Sequence, residues 1–466
     1  MPDRLSALDA SFLYLEDATT PMHVGSVAVF RKPRSGFDYE QFVRLMEQRL
    51  PMVPRYRQKV VQVPGHLARP VWIDDTDFDL TYHVRRSALP KPGNSEQLRE
   101  LVARLVSRPL DKDRPLWEAY LVEGLARGHV ALITKTHQAM VDGVRTIDIA
   151  QVILDNSPYT DHTADSGEER WLPRHPPSQA KLVLDAVAET VQSPKAVVEN
   201  ARAVAGDVLT GARRFVSSVG GVVTARPAAS GPLNVPIGNQ RRFAMARVRL
   251  ADVRAVRAAH GGTVNDVVLA MVAGALRGWL LSRGREVTSS AQVRALVPLA
   301  VRDEEVDGAV PGLLGNRVTP YLVDLPVGEP SAVVRLNHIS HAMLKHNDSV
   351  RSVAASALLR VTGFAPPTLH SLGARAANSF SNRIFNLVVT NVPGSQQPLY
   401  AGTARMTEMY PVMPLARNQA LAIGVTSYDG GVYFGLTGDR DAMSDVDVLA
   451  RMLEESLEEL SMVVRA

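Results

Sequence analysis

The chain has 466 residues, 45% of them hydrophobic and 21% charged, the balance of an ordinary globular protein long enough for two domains or two large lobes. Lysine and arginine total 52 against 48 acidic residues, a mild positive balance that permits attraction to anionic lipid or a phosphorylated cofactor and gives no support for nucleic acid. There is no cysteine, which excludes disulfides, thiolate metal sites and a cysteine nucleophile.

The opening Met-Pro-Asp-Arg-Leu-Ser lacks a basic region followed by an apolar run, so no secretory signal is expected. No uninterrupted apolar run reaches the roughly 20 residues that cross a bilayer. The best candidate, 203–225, contains Asp207, Arg213 and Arg214, so any membrane association is expected to be peripheral.

In chain order, Phe42, Leu45 and Met46 at helical spacing predict a helix over 38–50. A second helix is predicted over 94–106, with Asn94 as its N-cap and Leu98, Leu101, Val102 and Leu105 as its apolar stripe. Strand-like runs follow at 117–122 and 129–136. Residues 156–180 have a linker composition, rich in Pro, Ser and charge. Residues 181–225 read as one or two Ala- and Val-rich helices crossing between halves of the molecule. In the second half Thr263 caps a helix running to about 282, with Gly284 beyond its end. Runs at 294–301 and 386–390 read as buried strands. Residues 421–436 read as a hairpin turning at Asp429-Gly430-Gly431. A closing amphipathic helix is predicted over 444–464. The simplest organisation is an α/β lobe at 1–155, a linker with connecting helices at 156–240, and a second α/β lobe at 241–466.

The stretch ITKTHQAMVDGV (133–144) carries the chemistry. Strand alternation puts Lys135 and His137 on one face and Gln138 on the other, unless the strand has already ended. Asp142-Gly143 suggests a tight return, with Gly143 relaxing the backbone constraint. His137 is the motif's only side chain suited to proton transfer near neutral pH, because glutamine does not titrate. Periodicity alone favours a satisfied core histidine at 137 and a turn or ion-pair role for Asp142. Asn265 and Asp266 open the helix after Thr263, where an acid suits the macrodipole as readily as a ligand. Asn391 and Gly394 sit in the loop after a buried strand. His338, His341 and His346 lack both the register and the nearby carboxylates of a metal site. No Walker loop, G-x-S-x-G elbow or dinucleotide fingerprint occurs.

A set of segments then acquires meaning together: LSALDASFLYLED (5–17), PMHVG (21–25), WIDDTDFDLTYHV (72–84), RPLWE (114–118), HQAMVDG (137–143), GPLNVPIGNQRRFA (231–244), TVNDVVLA (263–270), LVPLAVR (296–302), LGNRV (314–318), VVTNVPG (388–394) and SYDGGVYFGLTGDR (427–440). In this order and spacing the chain resembles the bacterial wax ester synthase/acyl-CoA:diacylglycerol acyltransferase family, over roughly residues 5–460. That family is related in fold to chloramphenicol acetyltransferase and to condensation domains. The resemblance implies an α/β (α+β) protein of two lobes around a central channel. It implies an O-acyltransferase of triacylglycerol biosynthesis, moving a long-chain acyl group from acyl-CoA to diacylglycerol or to a fatty alcohol. Acyl-CoA is a co-substrate, and no metal or prosthetic group is implied. The expected setting is cytoplasmic, at a membrane or lipid-droplet surface.

The family pattern is His-His-x-x-x-Asp-Gly, with its second histidine as the base and its aspartate structural. Here Gln138 stands at the second histidine. Three readings remain open: His137 acts as the base, the protein is a slow enzyme that works by positioning, or it binds lipid or acyl-CoA without turnover. His137 is the provisional base and Asp142 its support, with Arg302 as the partner of Asp142. Gln138, Gly143, Asn265, Asp266, Asn391 and Gly394 are the candidate substrate-binding residues. Arg241 and Arg242 are candidate contacts for coenzyme A phosphates, against the alternative of ordinary surface arginines.

Overall fold

Three helices begin with reciprocal caps that the sequence makes readable. Asp38 and Gln41 close a capping box at helix α2 (Tyr39–Arg49), Asn94 and Gln97 at α4 (Ser95–Val106), and Thr263 and Asp266 at α8 (Val264–Ser282). The other helices are α1 (Ala7–Leu15), α3 (Leu80–His83), α5 (Gln138–Val141), α6 (Gln179–Gln192), α7 (Leu250–His260), α9 (Ala332–His346) and α10 (Val446–Arg465). This computed structural model describes residues 3–34, 36–141, 153–158, 171–192, 231–301, 317–346 and 384–465. Residues 159–170 of the expected linker lie outside these residues, as do the expected helices beyond 192.

Two large sheets organise these elements. The first has seven strands in the order β5 (Val84–Ala88), β6 (Trp117–Leu125), β7 (His129–His137), β2 (His23–Arg31), β14 (Ala404–Val412), β13 (Tyr400–Ala401) and β8 (Leu154–Asp155). The second has six, in the order β11 (Arg317–Leu325), β10 (Val293–Val301), β12 (Leu387–Pro393), β15 (Leu421–Tyr428), β16 (Gly431–Asp439) and β9 (Arg241–Arg249). A small sheet of β1 (Asp3–Arg4), β4 (Val71–Asp74) and β3 (Gln58–Val61) flanks the first lobe. Each large sheet has its own apolar core. Trp117, Phe30 and Phe42 anchor one, and Trp279, Phe434 and Leu453 the other.

The sheets do not follow the division of the chain at residue 241. β14, from the C-terminal part, pairs antiparallel with β2 from Arg405 opposite Arg31 to Val412 opposite Gly25. The same strand passes close over the second sheet. A Cβ on Gly435 would lie 1.8 Å from the Pro411 carbonyl oxygen, and one on Gly424 would lie 2.7 Å from the Pro411 side chain. Only glycine admits that approach. The Tyr433 hydroxyl donates to the Thr407 carbonyl at 3.1 Å, and the Tyr428 hydroxyl to Met406 at 3.1 Å.

The hairpin expected at 421–436 forms as β15 and β16. Asp429 and Gly430 both have positive φ (42° and 79°), as a tight two-residue turn requires. The candidate stretch 203–225 lies outside the described residues; among the described residues one helix, Val264–Ser282, has the length and apolarity to cross a membrane. Its side chains from Asp266 to Ala273, with Ala275, Leu276 and Trp279, are buried in the second lobe, so its apolarity is that of a core helix.

Candidate active site

β7 is a central strand buried along almost its whole length, and it ends at the motif. His137 is its last residue and pairs across to His23 of β2. The His137 N–H donates to the Leu116 carbonyl at 2.9 Å, and the Gln138 N–H donates to the Met22 carbonyl at 2.9 Å. RPLWE and PMHVG thus clamp the motif from opposite sides. Gln138 opens α5, so the strand has ended and alternation does not fix where its side chain points. Gln138 is partly buried, and Ala139 and Met140 behind it are buried.

The His137 ring is 1% exposed. Its Nδ1 accepts the Ala139 N–H at 3.0 Å. A backbone amide only donates, so Nδ1 carries no proton and its lone pair is engaged. Nε2 faces Glu16 Oε2 at 3.6 Å, beyond a hydrogen bond but close for an interior pair. Glu16, just past the end of α1, faces one ammonium and two imidazole rings. Lys112 Nζ lies 2.6 Å from its Oε2, and His23 Nε2 lies 3.7 Å from its Oε1. Burial by itself would raise the Glu16 carboxyl. The His137 ring and the Lys112 ammonium outweigh it and hold the group down at about 2. Burial, reinforced by the Lys135 ammonium, pushes His23 well below the ordinary imidazole range. A general base needs a lone pair open to the hydroxyl it deprotonates. In this geometry one nitrogen of His137 holds a backbone amide and the other faces a carboxylate.

A second group of expected residues gathers in the other lobe. Asn391, on β12, donates from its side-chain amide to Asn265 Oδ1 at 3.1 Å, joining the strand to the first turn of α8. Asn265 Nδ2 is buried with no hydrogen-bond partner among the described residues. Asp266 is engaged as the cap, accepting the Thr263 N–H at 2.8 Å. Gly394 has a steric reason to be glycine, because a Cβ there would stand 2.4 Å from the Ser427 carbonyl oxygen. Asp142, Gly143 and Arg302 lie outside the described residues.

Arg241 is not the exposed arginine that phosphate binding or a plain surface role would need. It is 5% exposed and donates to the Thr19 and Gly238 carbonyls, while its backbone N–H donates to Ser107 Oγ at 2.9 Å. It ties the second sheet to the first lobe. Arg242 Nε donates to the Arg440 carbonyl at 3.1 Å. His338 and His341 are exposed on α9, and among the described residues no group of three His, Cys, Asp or Glu side chains is placed to hold a metal.

The wax ester synthase/diacylglycerol acyltransferase catalytic-domain model matches residues 5–268, and the family's C-terminal domain matches 314–461. The chain belongs to this family. Among the family's curated members, the probable diacylglycerol O-acyltransferase tgs2 of Mycobacterium tuberculosis is 34% identical, covering 99% of each chain. Probable diacylglycerol O-acyltransferase tgs3 of the same organism is 48% identical over 55% of this chain and 96% of its own. In structure the chain is similar to the wax ester synthase/diacylglycerol acyltransferase of Marinobacter aquaeolei VT8, at 28% identity and a TM-score of 0.69, covering 99% of this chain and all of that one. Its fold is therefore α+β, with two chloramphenicol-acetyltransferase-like lobes flanking a channel. A starter condensation domain of rhizomide synthetase shares that fold at 13% identity and a TM-score of 0.54.

Sequence reasoning did not single out Glu16, His23 or Lys112 as members of this cluster. Glu16 and His23 both lay inside segments that carried the resemblance. What was missing was the convergence of α1, β2 and β7 at one point, which is a property of topology.

Proposed function

We propose that the protein is an acyl-CoA-dependent O-acyltransferase that esterifies diacylglycerol to triacylglycerol and accepts a fatty alcohol as an alternative. The observation that carries this reading is similarity along nearly the whole chain to probable diacylglycerol O-acyltransferases. In the reaction the acceptor hydroxyl oxygen attacks the thioester carbonyl carbon and the carbon–sulfur bond breaks. The hydroxyl proton ends on the released thiol. The thioester is already activated, so the protein's work is to position the reactants and handle that proton.

Under this reading His137 is a positioning residue. It fixes the strand end through Ala139 and Glu16, and it presents Gln138 where the family pattern has its base. Asn265 and Asn391 are proposed to contact substrate from the second lobe, where a buried amide nitrogen has no partner among the described residues. Asp142 and Gly143 are proposed to shape the loop that follows. Lipid substrates place the protein at a membrane or droplet surface, by peripheral contact.

The engagement of His137 Nδ1 by the Ala139 amide and the glutamine at 138 favour a second reading, a paralogue that binds acyl-CoA or lipid without turnover. The test supplies acyl-CoA and diacylglycerol in mixed micelles and follows thioester loss and triacylglycerol together, for wild type, Gln138→His and His137→Ala. Turnover by wild type, increased in Gln138→His, supports the acyltransferase. Silence in wild type with transfer gained in Gln138→His supports the binding paralogue. Turnover by wild type that disappears in a folded His137→Ala, with no gain from Gln138→His, would return the base to His137.

A further inference from the structure

A cavity of about 230 Å³ opens between the edge strand β5 and α4, and its lining includes Arg85, Arg86, Arg104, Arg108, Leu101 and Tyr120. It is distinct from the motif, and none of the candidate site residues lines it. Two of its arginines are satisfied by carboxylates. Arg86 Nε lies 2.6 Å from Glu123, and Arg85 Nη2 lies 3.3 Å from Glu118. Glu118 is heavily shared: Lys135 Nζ stands 3.2 Å from it, and the Tyr120 hydroxyl donates to it at 2.8 Å. The other two arginines, Arg104 and Arg108, are exposed and form no ion pair among the described residues. Arg104 lies in the last turn of α4 and Arg108 two residues beyond its end.

Four guanidinium groups around a small cavity, with fewer carboxylates than cations, form an unneutralised positive site. Arginine's planar fork matches the oxygens of a phosphoryl group better than any other side chain does. The volume is below the roughly 300–1,000 Å³ usual for whole small-molecule ligands, so it suits one charged group rather than an entire nucleotide. Leu101 and Leu105 supply an apolar wall for the carbon next to that group. We propose that this cavity binds the phosphate of a phosphomonoester, with Arg104 and Arg108 as its principal ligands. The phosphate could be supplied by a lipid headgroup or by a soluble phosphate, and the experiment separates the two.

The full-length protein is titrated calorimetrically with inorganic phosphate and, separately, tested for co-sedimentation with phosphatidylcholine vesicles made with and without phosphatidic acid. The variants are R104A/R108A, the charge-preserving R104K/R108K, and R254A/R257A, which removes the same charge from the exposed face of α7. Saturable phosphate binding is expected in wild type. It should weaken about tenfold per arginine removed in R104A/R108A, weaken less in R104K/R108K, and be unchanged in R254A/R257A. Phosphatidate-dependent sedimentation, lost in R104A/R108A, identifies the headgroup as the source. Phosphate binding without such sedimentation identifies a soluble ligand. Absence of saturable binding to either probe, or equal weakening in R254A/R257A, overturns the proposal.

Discussion

The two lobes end their central strands in opposite ways. At the end of β7 the first lobe buries a charge: the Glu16 carboxylate meets the His23 and His137 rings, all almost wholly removed from water, and the more exposed Lys112 ammonium. At the corresponding region of the second lobe, β12 ends in a neutral amide pair, Asn391 with Asn265. Charge buried in protein must be paired, and every partner it takes is held in one place. Neutral amides bind one another weakly and can exchange a protein partner for a ligand. The charged end is thus built to fix the backbone that presents Gln138, while the amide end retains polar capacity for a bound molecule.

The strongest way to sharpen that contrast is to give the rigid end a base. Gln138→His is expected to raise the rate of triacylglycerol formation by about 10²–10⁴-fold, read in the mixed-micelle assay. An unchanged rate would mean that position 138 does not face the reacting hydroxyl.

Breaking the charged end should be expensive in stability. Glu16→Ala leaves Lys112 and His137 without their carboxylate and is expected to destabilise the protein by about 2–3 kcal/mol, less than for a fully buried pair because Lys112 is solvated, measured by urea unfolding. The same carboxylate gives a pH signature. Its pKa falls from 4.5 when unfolded to about 2 when folded, so its stabilising contribution is complete above pH 4.5 and drains away as pH drops to about 2. Glu16→Gln should flatten that part of the stability profile.

A smaller loss, about 1 kcal/mol, is expected for Thr263→Ala, which removes the cap of α8 beneath the amide end. The smallest belongs to Asn391→Ala, about 0.5–1.5 kcal/mol for one neutral hydrogen bond. Its effect on the KM for acyl-CoA or acceptor should exceed its effect on stability. A stability loss like that of Glu16→Ala would erase the distinction between the two ends.

Local physics made much of this molecule readable. The capping boxes at Asp38, Asn94 and Thr263, the Asp429-Gly430 turn and the strand leading to His137 are all written in neighbouring residues. Periodicity alone also favours a satisfied core histidine at 137; the ring is buried and its Nδ1 bonded, while its Nε2 has no hydrogen-bond partner among the described residues. The rest depends on contacts distant in sequence. Nothing within 404–412 says that it pairs with residues 25–31, and nothing near Arg241 says that Thr19 will cover it. The convergence of Glu16, Lys112 and His137 is of the same kind, because each comes from a different element. The helix from Thr263 to about 282 is legible from its cap and its apolar run, whereas its burial inside the second lobe depends on contacts distant in sequence.

The path of β14 bears on how the chain acquires its shape during synthesis. β2 is HVGSVAVFR, and its partner on one side does not leave the ribosome until residue 412 has been made. Until then a nine-residue strand with high β propensity presents an open edge. The first lobe is therefore a late-closing unit of high contact order, slow to complete and exposed to edge-to-edge association while it waits. A nascent chain stalled before residue 400 should be protease-sensitive and prone to aggregate, and one released with α10 complete should not.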